Sequence, residues 1–311
     1  MRRLTLALLC AVLLAACAPR PVEAPRDEAP ADTLAAQPFG PIFEDARALG
    51  SDPAGRLYVV DAGAATVVTL TAKGLPLGLL GGPGTGDYAL LDPSDLDPTN
   101  GLRLDIADTG NARIQRFSSD GRLLASLPVP SDLRDGDARQ RAFRDTPAAD
   151  RGAGQGRPIA VATAVSGEVY AVEEVQGLVV RWDDQRRFDR VVGGLDAGEG
   201  ALSQPVDLAL GPDGRLFVAD RGHAAVLVYD RFGLYLRRIA DGTARDLRAV
   251  AVVGDRLVLV LPRRLLVYGL DGRLLDTLAV VLSEPLVDVT GSEGRLILLT
   301  ATRLYDAGML P

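Results

Sequence analysis

Asp213-Gly214-Arg215-Leu216-Phe217-Val218-Ala219-Asp220, followed by Arg221-Gly222-His223-Ala224 and then Ala225-Val226-Leu227-Val228-Tyr229, decides the fold. It reads as a glycine turn, a short β-favouring run closed by an acid, a polar turn and a second short strand. Runs of five apolar or β-branched residues bounded by Gly and Asp are too short for helices and have strand composition. Before them lies Pro205-Val206-Asp207-Leu208, and after them a further turn with Phe232-Gly233-Leu234-Tyr235-Leu236. One unit therefore holds four short strands.

The unit recurs. Ala54-Gly55-Arg56-Leu57-Tyr58-Val59-Val60-Asp61, Gly101-Leu102-Arg103-Leu104-Asp105-Ile106-Ala107-Asp108 and Ser166-Gly167-Glu168-Val169-Tyr170-Ala171-Val172-Glu173 are further copies. Gly254-Asp255-Arg256-Leu257-Val258-Leu259-Val260-Leu261 and Glu293-Gly294-Arg295-Leu296-Ile297-Leu298-Leu299-Thr300 are two more, without the closing acid. Copies lie about 40–47 residues apart, with a gap of 65 between the second and third. Four strands per unit at that period is the signature of a β-propeller, in which each sheet buries its faces against its neighbours. The predicted class is all-β: a six-bladed β-propeller of four-stranded antiparallel blades. The sixth copy lacks residues for an outer strand, so a segment within Asp32 to Phe43 is predicted to complete it.

The repeats resemble the NHL-repeat family of six-bladed propellers. Asp108-Thr109-Gly110-Asn111-Ala112-Arg113-Ile114-Gln115-Arg116-Phe117 carries the resemblance most fully, Asp220 to Val226 and Asp61 to Val67 more loosely. The linkers Gly81-Gly82-Pro83-Gly84-Thr85-Gly86 and Gly198-Glu199-Gly200-Ala201-Leu202-Ser203-Gln204-Pro205 have the family's spacing. They are expected to be loops, since neither is followed by the lysine and helix of a nucleotide cradle.

The N-terminal residues carry a separate message. Met1-Arg2-Arg3 precedes an apolar run from Leu4 to Leu14, shorter than the roughly 20 residues a membrane-spanning helix needs. Leu14-Ala15-Ala16-Cys17 resembles the bacterial lipobox, which implies cleavage before Cys17 and acylation of its thiol. The expected organisation is a lipoprotein signal peptide over 1–16, a lipidated Cys17 with a Pro- and Ala-rich disordered tether over 17–38, and the propeller over 39–311 with an insertion loop at 130–157. Arg134 to Phe143 within that loop is a candidate short helix. The expected location is the bacterial cell envelope, anchored by lipid, and the residue after Cys17 (Ala18, not Asp) points to the outer membrane.

Composition removes several functions. The net charge is −7, and Lys73 is the only lysine, so a nucleic-acid partner is not expected. Cys10 and Cys17 are the only cysteines, so the propeller carries no disulfide and no cysteine nucleophile. His223 is the only histidine and falls in a turn, which excludes a multi-histidine metal site. No cofactor is called for.

Two sets of residues remain. Asp61, Asp108, Glu173 and Asp220 occupy equivalent strand ends, and their repetition predicts a structural role as acceptors of backbone N–H groups in the following turn. Counting from the glycine turn, the innermost-strand position reads Ala48, Asp95, Ala160, Asp207, Arg248 and Val287. Asp95, Asp207 and Arg248 are therefore the candidate channel-lining, ligand-binding residues, with a structural Arg248–Asp207 pair as the other reading of the same residues. Gluconolactonase-like propellers, which this fold resembles, hold calcium with inner-strand acids and amides. Two acids without an amide fall short of the six to eight oxygens calcium takes. The function expected is a non-catalytic envelope lipoprotein whose propeller binds a protein or envelope component. A metal-dependent propeller hydrolase or lyase is the alternative.

Overall fold

The computed structural model describes residues 32–98, 101–130, 133 and 156–310. These form a six-bladed β-propeller of four-stranded antiparallel blades, with only 3-10 turns as helical elements among the described residues. The inner strands are Ala46–Ser51, Pro93–Asp97, Pro158–Thr163, Pro205–Leu210, Ala249–Val253 and Leu286–Ser292. Each pairs with the strand that follows it in sequence, and successive hairpins carry the sheet outward.

The core is divided among the seams between blades. Strand side chains alternate between the two faces of a sheet, so a sheet covered on both sides is apolar at nearly every position. In blade four the second strand, Leu216–Asp220, is buried along its whole length. Leu216 and Val218 pack toward blade three with Tyr170 and Val172, while Phe217 and Ala219 pack toward blade five with Leu257 and Leu259. Six such clusters are present, one per seam. The last joins Phe43, Leu57 and Val59 of blade one to Ile297 and Leu299 of blade six and closes the ring.

The closing strand comes from the expected segment. Two short strands precede blade one: β1 (Asp32–Leu34) and β2 (Gln37–Phe39). β2 pairs antiparallel with Leu304–Asp306 as the outermost strand of blade six. β1 was not foreseen. It adds a fifth, parallel strand to the outer edge of blade five, with Leu34 opposite Val280. The pairing of Asp32–Leu34 therefore lies inside the segment whose composition reads as tether. Edge pairing supplies backbone hydrogen bonds that composition does not reveal.

Cys17, the leader, most of the tether and the candidate helix Arg134–Phe143 lie outside the described residues. Of the insertion loop's middle, Leu133 is described: it is buried among Val129, Trp182 and Leu178, and its N–H donates to Gln176 Oε1 at 2.7 Å.

Candidate functional site

Strand register defines the waist of the central channel. Ala48 pairs with Val60, Asp95 with Ala107, Ala160 with Val172, Asp207 with Ala219, Ala249 with Val260 and Asp288 with Leu299. Each partner lies one residue before the end of its second strand, so the six positions are equivalent. Around the axis the ring reads Ala, Asp, Ala, Asp, Ala, Asp. The small side chains leave room for a carboxylate on either side of each.

Asp95 and Asp207 stand in this ring by register, and the other two positions shift. Ala249, not Arg248, belongs to the ring in blade five, and Asp288, not Val287, in blade six. The physical cause is hairpin length. Thr163 pairs with Val169 and Leu210 with Leu216 across five-residue turns, whereas Val253 pairs with Arg256 and Ser292 with Arg295 across two. The ring residue lies seven before the glycine in blades three and four but five before Gly254 and six before Gly294, so counts of six and seven land on Arg248 and Val287, each one residue early. Asp288 was legible by another route: Leu286-Val287-Asp288-Val289 repeats the pattern of Pro205-Val206-Asp207-Leu208.

The three aspartates join alternate seams. Asp95 Oδ2 accepts the N–H of Val161 at 2.6 Å, Asp207 Oδ2 that of Val250 at 2.7 Å, and Asp288 Oδ2 that of Leu49 at 2.7 Å. The other oxygen of Asp207 and of Asp288 accepts the N–H of the next residue, Leu208 or Val289, at 2.7–2.8 Å. The carboxylates lie deep along the axis yet border the channel. Burial first, then the neighbouring charges of Asp288 and Asp97, lift Asp95 well above the ordinary carboxylate value; burial and the charges of Asp95 and Asp288 do the same for Asp207. Burial lifts Asp288 to about 7. Backbone hydrogen bonds oppose the shift but do not cancel it.

Two cavities meet at this waist. The larger, about 1160 Å³, is walled by small residues such as Gly50, Ala162, Ala209 and Ala251, with Asp97, Thr163 and Thr290 among them. At Gly50 an added Cβ would fall 2.6 Å from Pro98 and 2.7 Å from Leu96, so the wall there tolerates no side chain. The smaller cavity, about 640 Å³, opens at the opposite end among Arg47, Ser94, Ile159, Val206, Arg221 and Arg248. Arg248 and Asp207 line it together, but no ion pair joins them. Arg47 is held between Asp45 (3.0 Å) and Asp92 (2.5 Å).

The four strand-end acids are backbone acceptors, and chiefly for a different segment from the one expected. They fasten the lead-in to the inner strand of their own blade more than the following turn. Asp61 accepts from Glu44 and Asp45, Asp108 from Leu91, Glu173 from Arg157, and Asp220 from Ser203 and Gln204, all at 2.7–3.1 Å. The following turn is reached as well by Glu173, through Val175 and Gln176, and by Asp220, through His223. His223 stays in its turn, with Nδ1 3.3 Å from Asp220.

Calcium or zinc chemistry requires convergent donors, and these residues do not provide them. Among the described residues no group of three or more His, Cys, Asp or Glu side chains is arranged to hold a metal ion. The waist carboxylates direct oxygens at backbone N–H groups instead.

An antiparallel all-β ring of six four-stranded sheets is a six-bladed β-propeller. The NHL-repeat profile matches residues 202–229, the lead-in and first strands of blade four. No curated protein sequence matches the chain. Solved structures share its fold at low identity. A gluconolactonase from Xanthomonas campestris is 14% identical with a TM-score of 0.63, over 88% of this chain and 89% of that one. A streptogramin B lyase is 10% identical with a TM-score of 0.58, over 88% and 97%. A chain of the nidogen/laminin complex is 15% identical with a TM-score of 0.56, over 79% and 84%.

Proposed function

We propose that this protein is a non-catalytic binding scaffold, tethered to the bacterial envelope through an acylated Cys17, that holds a ligand or protein partner at a mouth of its propeller. The observation that carries the reading is the use made of the waist acids. Each spends an oxygen on the backbone of the next blade, a job that stabilises the ring rather than activating a water or gripping a metal. Similar folds serve both enzymes and a protein complex, so fold likeness does not choose between the readings.

The alternative, a metal-dependent propeller hydrolase or lyase, draws on one feature: three carboxylates at a narrowing shared by two cavities. Calorimetric titration of the purified protein with Ca²⁺ and with Zn²⁺, followed by a lactone-hydrolysis assay with each ion, separates the two. The scaffold reading expects no stoichiometric heat and no turnover. Stoichiometric binding lost in D95N and D207N, together with turnover, overturns it. Anchoring is checked by metabolic labelling with palmitate, where the wild-type chain is expected to take up label and Cys17→Ser is not.

A further inference from the structure

The smaller mouth holds two arginines that the ring does not use. Arg221 follows the second strand of blade four, and its Nε donates to the carbonyl of Leu247 at 3.2 Å. That bond carries its guanidinium across the seam to the backbone just ahead of Arg248, which is exposed at the start of the inner strand of blade five. Both line the 640 Å³ cavity. Among the described residues neither forms an ion pair, although Arg47 at the same mouth is clamped by two aspartates. Asp45, Asp95, Asp207, Asp246 and Asp288 border the cavity too, and none of them makes an ion pair with Arg221 or Arg248.

Two guanidiniums without an ion-pair partner on one seam repel one another. An anion placed between them reverses that sign. Guanidinium forks match the paired oxygens of a carboxylate, and one is already fixed in orientation by a backbone carbonyl. Deeper in the same cavity lies Asp207, bonded to Val250 two residues beyond Arg248. A carboxylate there disfavours an occupant with several negative groups.

We infer that Arg221 and Arg248 form a binding site for a single carboxylate head, carried by a small organic acid or by the C-terminus of a partner chain. The inference rests on the binding reading above and gives it a chemistry. The mouth takes one anionic group at the seam of blades four and five, and the remainder of the occupant extends over Val206, Ile159 and Val287.

Binding is measured by calorimetry on the full chain at constant ionic strength. The probes are acetate, the tripeptide Ala-Ala-Ala as free acid, and the same tripeptide as C-terminal amide. The expected result is saturable binding of an acid but not of the amide, weakened about tenfold or more in both R221Q and R248Q and unchanged in R187Q, whose exposed arginine lies outside the cavity lining. That factor corresponds to loss of a charge-assisted hydrogen bond. Saturation by acetate identifies a small-molecule source, and saturation by the tripeptide acid alone a chain terminus. Absence of saturation by either acid, or affinity unchanged in both R221Q and R248Q, overturns the inference. If that occurs in a protein that also shows no metal-dependent turnover, the binding reading stands without it.

Discussion

Asp105 and Arg116 face each other across the second and third strands of blade two and form a two-bond ion pair, at 2.7 and 2.8 Å, in almost complete burial. The Thr163 hydroxyl of blade three donates to the same carboxylate. A buried pair is weak evidence of stabilisation as such, but removing one partner strands the other charge in a low-dielectric interior. R116M is therefore expected to cost about 3–5 kcal/mol in denaturant unfolding, whereas D105L/R116M recovers much of that loss. A double variant as unstable as R116M contradicts this account. Both residues were present in the quoted repeat copies, yet their partnership was not legible there. It depends on register, which a one-residue slip would abolish. The strand-end acids were legible because four copies repeat them, but the lead-in N–H groups they bind lie 16 or 17 residues upstream and leave no local signal.

Strand number and order followed from the repeat, because blade four writes all four strands with turns at clear glycines. What escaped was whatever depends on hairpin length or on strands too short to show a period. The two-residue turns of blades five and six moved Arg248 out of the ring and Asp288 into it. β1 and β2 are three residues each, below the length at which alternation can be read. Their contributions are expected to differ. β2 completes blade six and stands beside the blade one–six cluster through Phe39, so its loss opens the ring. β1 adds three residue pairs to a blade that already has four strands. Deleting residues 32–36 is predicted to lower the melting temperature by only a few degrees, an effect of about 1 kcal/mol or less in a domain of this size. Deleting 32–39 is predicted to lower it much further and broaden the transition. Equal shifts for the two deletions, measured by circular dichroism, would remove β2 from the role of ring closure.

At the scale of the whole molecule the waist aspartates set a pH dependence of their own. In the unfolded chain each returns to the ordinary value near 4, while in the folded ring burial and mutual charge hold Asp95 and Asp207 well above it and Asp288 at about 7. Between those values the folded state binds more protons than the unfolded state, so stability falls as pH rises from about 4 through about 7. Carboxylates on the outer surface act in the opposite sense. Arg295 beside Asp306 and the donors around Asp183 hold those groups below their ordinary value, and the stability they lend is lost on acidification below about 4. The melting temperature is thus predicted to peak near pH 4–5 and to decline toward pH 7–8, unlike a protein governed by surface ion pairs alone. D288N leaves an acceptor oxygen for one of the two N–H groups and removes one titrating charge from the axis. It is expected to flatten the decline between pH 5 and 7 and to leave the acid limb unchanged. A wild-type profile that rises across this interval, or a D288N profile that parallels it, contradicts the assignment of the decline to the ring.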